Sequence, residues 1–102
     1  MINVIVSYQV KPEFVEENKR NIQKFLNDFK NLDTTKFIYI VYLKDDGVTF
    51  THSSNYADAE IQHDVLHVTS FLEFQKKRDE SGLNNSHKAE LLEYIGSSKE
   101  IL

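Results

Sequence analysis

The sequence predicts an α+β fold in which one layer of helices covers an antiparallel sheet. Three observations support this prediction: alternation of apolar and polar residues near the N-terminus, two amphipathic segments with helical spacing, and two strand-like runs flanking an Asp-Gly pair. The chain has 102 residues, the usual size of one domain. We therefore expect residues 1–102 to form a single domain.

The N-terminal third predicts a strand followed by a helix. From Ile2 to Val10 nearly every second residue is apolar, as in a strand with one buried face. Pro12 suits the first turn of a helix, and apolar residues then recur at three- and four-residue spacing. We expect this helix to run from about Pro12 to Lys30.

The middle of the chain predicts a β-hairpin. Residues Lys36 to Leu43 are continuously apolar and rich in β-branched and aromatic side chains, which is typical of a strand covered on both faces. Asp46-Gly47 favours a two-residue type I′ turn, with positive φ at both central positions. The expected cross-strand pairs are Leu43 with Phe50, Val41 with His52, and Tyr39 with Ser54.

The last third predicts a helix and a final strand. The helix is expected from roughly Asp64 to Glu80, and the strand lies within Glu90 to Gly96, a segment that is also compatible with a short helix. We choose the strand because β-α-β-β-α needs a last β to complete the ferredoxin-like, split βαβ arrangement. The expected buried stripe of the helix consists of Val65, Val68, Leu72 and Gln75, flanked by Phe71 and Phe74.

Composition argues against several classes of function. Twelve basic against sixteen acidic residues give a net charge of -4 without a long basic run, so we expect no nucleic-acid partner. The absence of cysteine excludes disulfides and thiolate nucleophiles. No apolar stretch approaches the roughly 20 residues of a membrane helix, and the N-terminus lacks a basic leader. We expect a cytoplasmic protein without membrane contact.

Four stretches carry a resemblance to a known superfamily. They are VKPEFVEEN after the first strand, DDGVTFTH at the hairpin, NYAD after the third strand, and SFLEFQ in the second helix. Together they resemble the dimeric α+β barrel superfamily, and within it the antibiotic-biosynthesis-monooxygenase-like proteins. The resemblance runs from Met1 to about Gln75, and IGSS near the end is also similar.

The resemblance implies a homodimer in which two sheets stack face to face. It also implies a choice of activities, because the superfamily includes cofactor-free quinone-forming oxygenases, haem-degrading enzymes and members of no known reaction. The haem-degrading members use a tryptophan, and this chain has none. The resemblance places His67 near a histidine that is common at the start of the family's second helix.

His52 is the first catalytic candidate. Its strand position places it on the face that carries Val48 and Phe50, where an imidazole needs a hydrogen-bond partner or a ligand. It is therefore either a pocket residue or a core histidine bonded to a hydroxyl, with Tyr39, Ser54 and Tyr56 as the nearest choices.

Aromatic residues are candidates for a substrate pocket. We assign Tyr8, Tyr39, Tyr56 and Phe71 to it, because tyrosine hydroxyls can hydrogen-bond a quinone or phenol oxygen, although packing in strands and core explains such residues equally well. By contrast, Lys76-Lys77-Arg78 near the end of a helix predicts a solvated basic face.

The stretch HDVLH, residues 63–67, is similar to the HExxH motif of zinc hydrolases. Helical i, i+4 spacing would place His63 and His67 on one face, but no third ligand follows at a recognised spacing. We interpret the stretch as part of an amphipathic helix and expect no metal, with His67 kept as the second catalytic candidate.

The function expected from these observations is that of a cofactor-free monooxygenase-like protein acting on a small aromatic or quinol-type compound, with His52 or His67 as the base. The alternative is a non-catalytic binding or stress-response module whose pocket holds a small apolar ligand.

Overall fold

The computed structural model describes residues Met1–Leu102 and confirms the predicted N-terminal elements. Strand β1 spans Ile2–Gln9, and helix α1 spans Val15–Phe29. Pro12 occupies the first position of a 3-10 turn, Pro12–Phe14, that leads into α1. The missing N–H of proline costs nothing there, because the first amides of a helix have no partner within it.

The central hairpin has the predicted register but a different turn. Strands β2, Phe37–Leu43, and β3, Thr49–Tyr56, are antiparallel. Leu43 pairs with Phe50, Val41 with His52, and Tyr39 with Ser54, which confirms the expected pairs.

The type I′ prediction is wrong, because only Gly47 has a positive φ in this turn. The Asp46 carboxylate accepts hydrogen bonds from the amides of Val48 and Thr49 and from the Thr49 hydroxyl. These bonds hold a wider turn in which Gly47 N–H donates to the Lys44 carbonyl.

Two helices are present where one was predicted from roughly Asp64 to Glu80, and the first begins earlier than expected, at Ala59. Helix α2 spans Ala59–Leu66, and helix α3 spans Thr69–Ser81. Asp58 caps α2 by accepting a hydrogen bond from Ile61 N–H at 2.9 Å. Val68 is extended, with φ −61° and ψ 131°, so the helical hydrogen bonds stop there and start again in α3.

The break rotates the buried face of α3 away from the predicted stripe. Phe71 and Phe74 are buried, but Leu72 is 44% exposed. The buried Ser70 donates a hydrogen bond to an Asp28 carboxylate oxygen on α1 at 2.5 Å, which fixes the rotation of α3 against α1.

The sheet order β2-β3-β1-β4 gives the predicted α+β, ferredoxin-like fold. The final strand, β4, spans Lys88–Leu92, earlier than expected, and pairs antiparallel with β1. It is an edge strand whose five residues are all exposed.

One face of the sheet packs against the helices. Phe25 of α1 is completely buried, and its ring lies within 5.5 Å, centroid to centroid, of four others: Phe29, Tyr39, Phe71 and Phe74. The expectation that β2 is covered on both faces is not met within one chain, because Ile40 and Tyr42 on the opposite face are exposed. No helix is long and apolar enough to cross a membrane.

Replacing Phe74 by alanine should lower the free energy of unfolding by about 3–5 kcal/mol, because it leaves a cavity among aromatic rings. Leu72→Ala, two residues away on the same helix, should cost no more than about 0.5 kcal/mol, because the Leu72 side chain is exposed rather than part of the core. Denaturant unfolding measures both changes. A larger cost for Leu72→Ala would mean that α3 buries the stripe predicted from the sequence.

Candidate functional site

A cavity of about 170 Å³ lies between the helix-facing side of the sheet and the two C-terminal helices. Its apolar surface comes from Val4 and Val6 on β1, Leu66 on α2 and Phe71 on α3. Its polar surface from the sheet comes from Tyr39 on β2 and from His52, Ser54 and Tyr56 on β3. All four polar side chains point to this face because side chains alternate between the two faces along a strand.

Two grooves larger than this cavity, of about 190 and 300 Å³, lie between α1 and the edge strand β2. Their charged residues are Lys19 and Lys30, both exposed, and neither groove contains a histidine. Of these three sites, only the cavity under α2 and α3 is lined by histidine and arginine side chains.

His52 is buried and hydrogen-bonded through both ring nitrogens. The Tyr8 hydroxyl lies 2.8 Å from Nε2, and the Tyr39 hydroxyl lies 2.7 Å from Nδ1. The expected bond to Tyr39 is confirmed, whereas Tyr8 is a partner that the sequence did not suggest. Burial, together with the charges of Arg78 and His87, lowers the pKa of His52 to about 3. The imidazole is therefore neutral at pH 7.

A neutral imidazole donates through one nitrogen and accepts through the other. Asn18 Nδ2 donates to the Tyr8 oxygen at 3.0 Å, and we infer that Tyr8 donates its own proton to His52 Nε2, because this direction leaves no buried Tyr8 proton without an acceptor. His52 then donates from Nδ1–H to the Tyr39 oxygen, and the proton of Tyr39 remains free to be donated to a ligand. Tyr39 lines the cavity and Tyr8 does not, so the chain of donors ends at the cavity.

The tyrosines of the site keep their protons. Burial raises the pKa of Tyr8, of Tyr39 and of Tyr56. Of the four residues assigned to a pocket from the sequence, Tyr39, Tyr56 and Phe71 line the cavity, and Tyr8 lies behind His52. The phenols facing the cavity are therefore hydrogen-bond donors.

His67 lies outside the cavity. It is exposed at the end of α2, and its Nδ1 is 2.6 Å from the His63 carbonyl oxygen. The rings of His63 and His67 stack with centroids 3.9 Å apart. No group of three or more His, Cys, Asp or Glu side chains is arranged to hold a metal ion. A catalytic role for His67 stays a prediction.

Arg78 is the residue that the sequence assigned wrongly. Lys76 and Lys77 are exposed as predicted, but Arg78 is only 7% exposed and lines the cavity. Its guanidinium lies 5.2 Å from the centroid of the Tyr8 ring and 5.4 Å from that of Phe74. The spacing Phe71, Phe74, Arg78 could have revealed this, since it follows one face of a helix.

Three other polar residues of the cavity had no sequence argument for a place there. They are Gln62 on α2, Gln75 on α3, which was expected only in the buried stripe, and His87 in the loop before β4. Each depends on how separate elements meet, which local patterns do not reveal.

Comparison with known proteins supports the fold. No family model and no curated protein sequence matches the chain. Among solved structures, an antibiotic biosynthesis monooxygenase superposes with a TM-score of 0.78 at 11% identity, covering 94% of this chain and 100% of that one.

Two further structures superpose similarly. A conserved protein from Methanosarcina mazei gives a TM-score of 0.76 at 20% identity, with 89% of each chain covered. A candidate antibiotic biosynthesis monooxygenase from Deinococcus radiodurans gives 0.75 at 12% identity, covering 100% of this chain and 99% of that one. The chain therefore has the ferredoxin-like α+β fold of the antibiotic-biosynthesis-monooxygenase-like structures, as the sequence resemblance implied.

Proposed function

We propose that the protein is a cofactor-free monooxygenase-like enzyme that oxidises a small aromatic or quinol-type compound in the cavity under α2 and α3. The observation that carries this proposal is the chain of hydrogen bonds from Asn18 through Tyr8 and His52 to Tyr39, which ends at the cavity. Oxidation of a phenol by oxygen without a cofactor requires its anion, and an oriented hydrogen-bond donor stabilises that anion.

The role of His52 in this proposal is to orient Tyr39. Both of its nitrogens are bonded and its pKa is about 3, so it does not take a proton directly from a substrate at neutral pH. It holds the Tyr39 oxygen as an acceptor, which directs the phenolic proton at the substrate oxygen. Tyr39 is then the group that stabilises the developing negative charge.

The proposed assembly is a homodimer. Ile40 and Tyr42 are 41% and 59% exposed on the sheet face opposite the helices. Apolar residues of the C-terminal segment are also exposed, namely Leu91 and Ile95 at 80% and 88%. Exposed apolar side chains on the open face of β2 and in the C-terminal segment favour pairing with a second copy of the chain.

A second candidate function is non-catalytic binding of a small ligand, as in a stress-response module. The observation that favours it is the absence of a free base among the residues of the sheet that line the cavity, since His52 is fully bonded and Tyr39 and Tyr56 are protonated. Native mass spectrometry that retains a ligand in the absence of turnover supports this function.

Tyr39→Phe should reduce kcat on an active quinol by about 10²–10³-fold, because it removes one donor to the oxyanion. Tyr42→Phe, on the same strand but the opposite face, is the matched control and should keep full activity. Oxygen consumption and quinone absorbance measure both. No conversion across a panel of quinols and polyphenols would contradict the oxidase and favour the binding module.

Glutamine variants distinguish the roles of the two candidate histidines. His52→Gln should lower kcat, because Tyr39 loses its orienting partner, while His67→Gln should not. Full activity in His52→Gln would remove that residue from the mechanism. Loss of activity in His67→Gln alone would move the site away from the cavity.

The folding stability should fall with acid because of His52. An unfolded chain protonates this residue below its ordinary pKa of 6.5, whereas the folded protein keeps it neutral down to about 3. Titration of His52 therefore leaves the free energy of unfolding unchanged above pH 6.5 and lowers it by about 1.4 kcal/mol for each pH unit below that.

Denaturant unfolding between pH 7 and 5 measures this slope. His52→Gln should lack the extra slope, and His63→Gln, at an exposed position, should retain it. Equal slopes in the wild type and His52→Gln would contradict the neutral, bonded histidine.

Dilute wild-type protein should sediment as a dimer, and Ile40→Lys should shift it toward monomer by placing a charge on the apolar sheet face. Thr51→Lys, on the same face of the neighbouring strand β3, tests how far the contact extends. A folded wild-type monomer in dilute solution would contradict the homodimer.

A further inference from the structure

We propose that the ligand of this cavity carries a carboxylate, which accepts hydrogen bonds from the two terminal nitrogens of Arg78. This inference rests on the proposed function, because it concerns the same cavity. It adds the charge and the chemical class of the molecule bound there.

The Arg78 guanidinium has donors without a protein acceptor. Nε donates to an Asp79 carboxylate oxygen at 3.0 Å, and neither Nη1 nor Nη2 has a hydrogen-bond partner. The fully buried side-chain atoms that lack a partner are Asn18 Oδ1, Asn21 Nδ2 and Thr51 Oγ1. Both Nη atoms of Arg78 therefore keep accessible surface, and Arg78 lines the cavity.

Asp79 does not neutralise this charge. The Asp79 side chain is 61% exposed, whereas that of Arg78 is 9% exposed, so water screens the carboxylate far more than the guanidinium. Burying a cation with part of its donor set unpaired is unfavourable unless an anion completes it. Two parallel N–H donors from one planar group match a carboxylate.

The lining of the cavity suits an anion. None of its 12 residues is acidic, although the chain contains 16 aspartates and glutamates. The positive potential also acts at the sheet, where the charges of Arg78 and His87 add to burial in lowering the pKa of His52. The cavity is thus a locally positive site in a protein of net charge -4.

Geometry limits the size of the acid. Contact with the Tyr8 and Phe74 rings fixes the guanidinium on the α3 wall, and Tyr39 donates from the sheet. A volume of about 170 Å³ is below the roughly 300 Å³ at which ordinary ligand pockets begin. The cavity therefore fits a single-ring acid with a carboxylate toward Arg78 and an oxygen toward Tyr39.

The test compares 4-hydroxybenzoate with its uncharged isostere 4-hydroxybenzamide by isothermal titration calorimetry. The wild-type protein should bind the acid at least about tenfold more tightly than the amide. Arg78→Gln should remove this preference, Arg78→Lys should keep part of it because the charge remains, and the exposed Lys77→Gln should keep all of it. Circular dichroism and thermal melting verify that each variant is folded.

Three outcomes would each overturn the carboxylate site. They are equal affinity of the wild type for the acid and the amide, binding of neither compound at millimolar concentration, and a preference for the acid that survives in Arg78→Gln. These outcomes do not depend on turnover. If the protein binds the acid but oxidises no quinol, the carboxylate site stands and only the oxidase is contradicted. If it oxidises neutral quinols but shows no preference for the acid, the oxidase stands and only the carboxylate site is contradicted.

Discussion

The imidazole of His52 lies in the aromatic core between β3 and the helices, and its two hydrogen bonds decide how the site is arranged. A polar ring is stable there only if both nitrogens have partners, because an unpaired polar group in such surroundings is unfavourable. Tyr8 and Tyr39 satisfy it from neighbouring strands, and Asn18 of α1 supports Tyr8 from the helical layer. The hydrogen-bond network therefore fixes the sheet, α1 and the cavity wall relative to one another.

Satisfying the imidazole also determines its chemistry. The same contacts that make the histidine tolerable in the core keep it neutral and leave it without a free nitrogen. The proton that faces the cavity belongs to Tyr39. The same hydrogen bonds therefore stabilise the core and orient the hydroxyl that faces the cavity.

Most of the architecture and part of the site follow from local patterns. Alternation along β2 and β3 was enough to place Tyr39 and His52 on one face, because side-chain direction in a strand has a period of two. The turn type was mispredicted because the Asp46 side chain, rather than the backbone of an Asp-Gly pair, holds it. The extended backbone at Val68 left no recognisable pattern, so the break between α2 and α3 was missed.

The division of the C-terminal helical segment has a consequence for how the site can change in evolution. Gln62 and Leu66 belong to α2, whereas Phe71, Gln75 and Arg78 belong to α3, so the cavity borders two separately anchored helices. Helix α2 has one buried residue, Val65, and α3 has four, including Ser70 bonded to α1. Substitutions in α2 can therefore reshape one side of the cavity at little structural cost, while the anchored α3 conserves the position of the charge. The shape of the cavity on the α2 side can thus change without moving Arg78.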